Sequence, residues 1–305
     1  MRLIPYRFVG ESLPCNLCGE RARHVVGRVD RSWLPLRNVL CDVCGLVFLD
    51  PMPTSEEIAR YYRSEYRERY HGSGAPRPKA ILRDERGAAE RMRLLAPWLK
   101  PGLRVLDVGA GTGAFVAAAA RAGFNAVGIE PHQGFAAHAQ RHYGAAIHAT
   151  LLEDAPLEDA SFDLITSSHV FEHLRDPLAA FARVHRLLVA GGIFHVAVPD
   201  ISNPDRTPIA RWHFGHVHGF TRRSLMMMAL KAGFAPEAFD DGTPTLVLRK
   251  LDQALPWFAF PDHARDMRQF FERHTMWRHL LSATPYRKFV RRMARFRRER
   301  AALKL

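Results

Sequence analysis

Val105-Leu106-Asp107-Val108 runs straight into Gly109-Ala110-Gly111-Thr112-Gly113, and no other stretch constrains the folding of this chain as much. Arg104 to Val108 is a short, mainly apolar run bounded by Pro101-Gly102 and the glycines, and Ala114 to Ala120 supplies good helix formers directly afterwards. The pattern predicts a strand, a tight loop and a helix. Glycines on alternate positions let the backbone take positive φ and approach a ligand closely, beside the N-terminus of the following helix. A small-molecule site is expected there. Gly109, Gly111 and Ala114 also satisfy the dinucleotide pattern G-x-G-x-x-G/A, with Glu130 near the place of its ribose-binding acid, so the loop alone admits an NAD(P)-dependent oxidoreductase.

Asp107 separates the two readings. A carboxylate at the strand end would oppose a pyrophosphate but suits a ligand carrying cations, and S-adenosylmethionine carries an ammonium and a sulfonium. Leu106 to Gly113 resembles the first motif of class I S-adenosylmethionine-dependent methyltransferases. Gly128-Ile129-Glu130-Pro131 is similar to that family's second strand and Ser161-Phe162-Asp163-Leu164-Ile165 to its fourth, so the likeness runs through about half of the chain. The resemblance implies an α/β fold with a doubly wound, Rossmann-like sheet. It also implies cofactor contacts from Asp107, Gly109, Gly111 and Gly113, with Glu130 taking the ribose hydroxyls. Where relatives place an adenine-binding acid straight after the third strand, here Ala145 to Ala149, this chain has Leu151, which leaves Glu153 or a backbone amide for that role.

All four cysteines lie near the start, as Cys15-x-x-Cys18-Gly19 and Cys41-x-x-Cys44-Gly45 with 22 residues between the pairs. That is zinc-ribbon spacing: each turn aims two thiolates at one point, and two turns complete a closed Cys₄ site that is structural rather than catalytic. Thr54-Ser55-Glu56-Glu57 then opens a helix through a capping-box pattern. Tyr62, Tyr66 and Tyr70 repeat on it as a packing stripe or as a reach toward the acceptor. His71 to Pro78 has the composition of a mobile linker, with a lid over the site as one reading, and Ile81 to Leu99 reads as a helix.

Thr166 to Leu174 ends the fourth strand without the [Asn/Asp]-Pro-Pro-[Tyr/Phe] motif of base amino-methylating relatives, and it places His169 at the mouth. Gly191 to Pro199 reads as a buried fifth strand whose His195 is expected to be a satisfied core residue. Next comes Trp212-His213-Phe214-Gly215-His216-Val217-His218, where no nearby acid or cysteine in sequence completes a metal shell. The segment resembles the His-x-x-Tyr/Phe region of zinc-module sugar methyltransferases, in which a histidine acts as base. The match falls on His216, but the family's preceding glutamate is Gly215 here. His216 and His169 are therefore the candidate bases. Leu225 to Ala232 is a methionine-rich core helix, and Phe234 to Phe239 and Thr245 to Leu248 are the last strands.

At 305 residues, 47% hydrophobic and 25% charged, the composition is that of a globular protein, and no apolar run approaches the roughly eighteen residues of a membrane span. A cytoplasmic location is expected. The net charge of +13 is uneven, because Pro285 to Leu305 sets nine Arg and Lys residues against Glu299. There Phe289, Val290, Met293 and Phe296 form a stripe within a basic amphipathic helix that would meet anionic membrane, solvent or RNA. The arginines lack interleaved aromatic partners to read bases, which ranks a zinc-ribbon RNA-binding protein or RNA methyltransferase last. The expected organisation is a zinc ribbon over 1–53, a helical linker over 54–100, a methyltransferase domain over 101–252 and a basic helical extension over 253–305. The expected activity is transfer of a methyl group from S-adenosylmethionine to a small molecule, a saccharide by family analogy.

Overall fold

The computed structural model describes residues 6–63, 75–240, 243–253, 258–287 and 293. Three antiparallel strands open the chain: β1 (Arg23–Val29), β2 (Pro35–Cys41) and β3 (Val47–Leu49). Helix α1 (Ser55–Arg63) follows, and its capping box forms as the sequence predicts, with Glu57 N–H donating to Thr54 Oγ1 at 3.2 Å and Thr54 N–H to Glu57 Oε2 at 2.9 Å. Glu57 also accepts from Val9 N–H at 2.7 Å, which ties the leading segment to this helix. Tyr66, Tyr70 and His71 to Gly74 lie outside the described residues, as does the side chain of Tyr62.

Helix α2 (Pro78–Leu95) leads into the large sheet, built from β4 (Arg104–Val108), α3 (Ala114–Arg121), β5 (Asn125–Ile129), α4 (Gln133–Tyr143), β6 (Ile147–His148), β7 (Phe162–Ser168), α5 (Pro177–Leu187) and β8 (Leu188–Ala197). After β8 come the two-residue strand β9 (His218–Gly219), α6 (Arg222–Lys231), β10 (Phe234–Asp240), β11 (Thr245–Lys250), α7 (His263–Arg273) and α8 (Met276–Leu280). The seven-stranded order is β10-β11-β8-β7-β4-β5-β6. The five strands β4 to β8 run parallel and β11 enters antiparallel against β8. This is the doubly wound α/β sheet expected from the alternation of apolar runs and helices. Val127, Leu106, Ile165, Phe194 and Leu248 stand in register across it on one face. Val105, Leu164, Ile193 and Val247 pack on the other against α2 and α3. Burial on both faces is why these strands read as continuous hydrophobic runs rather than as alternating ones.

Two predicted elements differ in extent. The third strand shrinks to Ile147 and His148, and β8 begins at Leu188, three residues before Gly191. Gly191 takes φ +67 inside β8, where the pairing with β7 shifts register. Local apolar content reports neither the short edge pairing nor the irregularity.

The small sheet does not end with the N-terminal segment. β9 pairs antiparallel with β3, setting Val47 opposite Gly219 and Phe48 opposite His218, so a strand from beyond β8 completes a four-stranded sheet begun before residue 50. One hydrophobic cluster runs from Leu17, Val39 and Phe48 to Phe171, Phe194 and Phe220. Lys231 Nζ donates to the Leu17 carbonyl at 2.6 Å, and Asn16 bonds the α5 cap Asp176 at 2.8 Å. The cysteine-bearing segment is thus packed into the large domain. Among the described residues no helix is long and apolar enough to cross a membrane. Of the basic tail, Arg287 and Met293 are described, and the stripe at Phe289, Val290 and Phe296 is not.

Candidate functional site

The glycine loop closes at the carboxyl end of β4, where parallel sheets hold their ligands. Gly109, Gly111 and Gly113 take φ of +76, +54 and +82, a region that side chains disfavour. Their surroundings differ. A methyl group on Gly109 would stand 2.2 Å from Val170 Cγ2, and one on Gly113 would stand 2.4 Å from Ala139 Cβ. Beside Gly111 the nearest atom is an Asp84 carboxylate oxygen at 3.6 Å. Gly109 and Gly113 are therefore packing glycines, and Gly111 faces the open cradle. Glu130, at the end of β5, accepts from Gly111 N–H at 2.9 Å and His132 N–H at 2.8 Å, which aims the carboxylate at the loop. Burial raises its pKa against the lowering by these two bonds. Glu153 is exposed in the turn after β6.

Asp107 does not stand alone. Arg91 on α2 donates to its Oδ1 at 2.7 Å and to Thr166 Oγ1 at 3.1 Å, and its guanidinium lies 4.4 Å from the Phe115 ring centroid. Thr166 Oγ1 in turn meets His195 Nδ1 at 2.9 Å. Asp107, Thr166 and His195 occupy adjacent positions across three strands, so one face carries a buried polar strip. His195 is 3% exposed, and burial pushes its pKa down to about 3, so it sits neutral as a satisfied core histidine. Burial raises the Asp107 pKa, and Arg91 works against that rise. Arg91 and Asp84 were not picked out from the sequence. Arg91 lies between the buried Ala88 and Leu95 at helical spacing, and a cation on an apolar stripe was the available signal.

A second cluster lies just past the glycine loop, where β7 gives way to a single 3-10 turn, Phe171–His173. Phe171 is fully buried and meets Phe181 edge to face at 4.8 Å, which pins the turn that carries Glu172 and His173. His169, with φ +58, is a strained residue at the mouth, its side chain 64% exposed. Its Nδ1 and the Nε2 of His173 each lie 3.6 Å from Glu172 Oε1. The segment Trp212 to His218 brings the rest. His173 Nδ1 donates to the Gly215 carbonyl at 2.6 Å, and the His173 and His216 rings meet edge to face at 4.9 Å. One ligand atom each from Glu172, His173 and His216 falls within 4.8 Å of the others. The carboxylate that sequence alone did not find beside His216 is thus Glu172, 44 positions earlier. The short His169-x-x-Glu172-His173 spacing was its only local mark.

Burial would raise the Glu172 pKa, but His173, and after it His169, outweigh that and hold the carboxyl below its usual range. Burial and the neighbouring His173 hold His216 well below the ordinary histidine value, so that ring is neutral and carries a lone pair. The small sheet sets the height of this segment. β9 begins two residues after His216, Leu49 N–H donates to the Val217 carbonyl at 3.0 Å, and Phe214 packs against Tyr6 at 4.5 Å and Tyr61 at 4.7 Å. Tyr61, one position before the predicted stripe, makes an aromatic contact with this segment.

The four cysteines converge on the other side of the small sheet. Cys15 and Cys44 Sγ lie 3.5 Å apart, Cys18 and Cys41 Sγ 3.4 Å, and all four sulfurs fall within 4.8 Å of one another with no disulfide. Two knuckles facing each other this way bring four sulfurs together as a donor set that could hold a metal ion.

The comparisons with known proteins cover the large sheet. A family profile for the methyltransferase domain matches residues 81–238, which leaves the cysteine knuckles outside. An uncharacterized methyltransferase of Mycobacterium sp. (strain JLS) is 35% identical over 143 residues, 45% of this chain and 55% of that protein. A ubiquinone biosynthesis O-methyltransferase of Hahella chejuensis is 35% identical over 97 residues, 30% of this chain and 41% of that protein. The chain spans about half the length of the curated relatives it matches. In fold it is similar to the Burkholderia thailandensis 1,6-didemethyltoxoflavin-N1-methyltransferase, with a TM-score of 0.51 at 20% identity over 68% of this chain and 96% of that one. The glycine cradle and Glu130 admit either class, and it is the family match across this segment that separates the chain from a pyridine-nucleotide oxidoreductase. The chain belongs to the methyltransferase-domain family.

Proposed function

We propose that the protein transfers a methyl group from S-adenosylmethionine to a small-molecule acceptor, a saccharide or glycan-pathway intermediate by analogy with zinc-module relatives. The observation that carries the cofactor assignment is the open face of Gly111 between Glu130 and Asp84, since a ligand lying there would meet a carboxylate suited to ribose hydroxyls. We assign Arg91 and Asp107, paired at 2.7 Å, to the amino-acid end of the cofactor, one for its carboxylate and one for its ammonium. Glu153, exposed after β6, is the side-chain candidate at the adenine. In the transfer, the sulfur–methyl bond breaks as the acceptor–methyl bond forms, and a neutral thioether leaves. The protein's task is to align the partners and remove the acceptor's proton. His216 and His169, both beside the Glu172 carboxylate, are the groups assigned to that proton.

We assign the four cysteines to a structural zinc. The fit is good, because four sulfurs about 2.3 Å from a tetrahedral zinc would lie roughly 3.8 Å apart, close to the spacing present. Four protein ligands leave no position for substrate, so this metal would hold the small sheet and, through β9, the height of His216. Unpaired thiols arranged for a metal suit a reducing, cytoplasmic compartment. We further assign the basic tail to anionic membrane. Supporting this, Trp277 is 77% exposed and Leu281 85% exposed on the segment leading into it.

Calorimetric titration with S-adenosylhomocysteine and with NAD tests the assignment. The methionine ligand is expected to bind, and Glu130→Ala to weaken it by about tenfold or more, the worth of a hydrogen bond to a charged group. Binding of NAD alone would overturn it.

A further inference from the structure

We propose that Glu172, His173 and His216 form a second metal site, an open one that takes a divalent transition ion and presents it to an acceptor bearing two neighbouring oxygens. The substrate class rests on the methyltransferase reading above, whereas the metal site stands on its own geometry.

Glu172 is 2% exposed, and neither carboxylate oxygen has a hydrogen-bond partner among the described residues. A buried carboxylate with no hydrogen-bond partner is costly even with histidines nearby, and such a group is suited to holding a ligand. The surrounding lone pairs say which. With its Nδ1–H committed to the Gly215 carbonyl, His173 turns Nε2 toward Glu172 Oε1, 3.6 Å away. One donor atom from each group at that distance can share a single ion. A histidine whose other nitrogen donates to a backbone carbonyl is also the usual arrangement of a metal-bound imidazole. His216 brings a third donor atom within 4.8 Å.

Beside Glu172 and His216 is a void of about 10 Å³, close to the space of one water. Arg206 and Arg211 also line it. Their positive charge disfavours a loosely held cation, so binding here depends on direct ligation by imidazole and carboxylate. Two imidazoles and a carboxylate leave open positions and select manganese, iron, cobalt or zinc over magnesium and calcium. On such an ion, adjacent hydroxyls of an acceptor would chelate and one would lose its proton more readily, with exposed His169 placed to take it. His216 would then serve as a ligand.

The test is manganese(II) titration of the full chain, its cysteine site left loaded, followed by loss of the free-ion paramagnetic resonance signal. One ion per chain is expected, weakened about tenfold or more in Glu172→Gln and in His173→Gln while S-adenosylhomocysteine affinity and cysteine-bound zinc are unchanged. Water proton relaxation should report a bound water that a cis-diol sugar displaces. No uptake at millimolar manganese by a chain that binds S-adenosylhomocysteine would overturn the site. So would equal uptake by the wild type and both variants. Manganese uptake without S-adenosylhomocysteine binding would support the site and instead remove the methyltransferase reading.

Discussion

Two clusters of metal-ligating side chains lie on this fold, and they are built in opposite ways. The cysteine cluster comes from two knuckles of four residues each, Cys15 to Cys18 and Cys41 to Cys44, and uses all four ligand positions on protein atoms. The Glu172 cluster draws on a turn after β7 and a loop before β9, and it stops at three donors. The first offers the four donors of a closed site, and the second, with three, would leave positions to fill. A closed set stabilises and an open one reacts. The same element joins them, because β9 pairs with β3 beside the cysteines and places His216 two residues earlier.

The largest expected effect comes from breaking the closed cluster. Zinc affinity in such sites is folding free energy, on the order of 10 kcal/mol, so Cys41→Ala should lose the ion and unfold the small sheet. Metal content and thermal melting would read it. Retention of zinc and an unshifted melt would remove the structural role. The open cluster should behave in reverse. Glu172→Gln is expected to lower turnover by about 100-fold, the usual scale for losing a group that manages a proton, while the melting temperature stays level or rises because a buried charge is gone. A melt lowered as far as that of Cys41→Ala would erase the distinction between the clusters.

The glycine loop sharpens the contrast on a smaller scale. Gly109→Ala forces a methyl into Val170 at positive φ and should cost about 1–3 kcal/mol of stability by denaturant unfolding. Gly111→Ala meets only Asp84, so its larger effect should fall on cofactor affinity by calorimetry. Equal stability losses in the two would mean that the cradle is not open at Gly111. The smallest effect is expected far from both clusters, where Arg104 bonds Asp163 with Nε and Nη2 at 3.0 Å. That pair, chiefly through the hydrogen bond, holds the Asp163 carboxyl below its usual range. The folded value is lowered, so the contribution is present above the unfolded pKa and fades as pH falls through the folded one. Asp163→Asn should flatten only that acid limb of stability, and an unchanged slope in unfolding measured against pH would show the pair to be idle.

What could be read from the chain alone shares one property: its ligands or signals are close in sequence. The glycine loop, the Thr54–Glu57 cap, the two Cys-x-x-Cys turns and the apolar strands are local patterns, and backbone geometry converts them directly into strand, cap and knuckle. Arg91 beside Asp107, Glu172 beside His216 and β9 beside β3 are long-range meetings with separations of 16, 44 and about 170 positions. No local pattern encodes those. They follow from the right-handed winding of the sheet, which gathers the ends of β4, β5 and β7 at one mouth and lays α2 across it. Sequence by itself therefore determined the fold class, the glycine loop and the thiol set. Tertiary structure alone decided which carboxylate meets which histidine, because a buried charge takes its partner from whatever packing brings within reach.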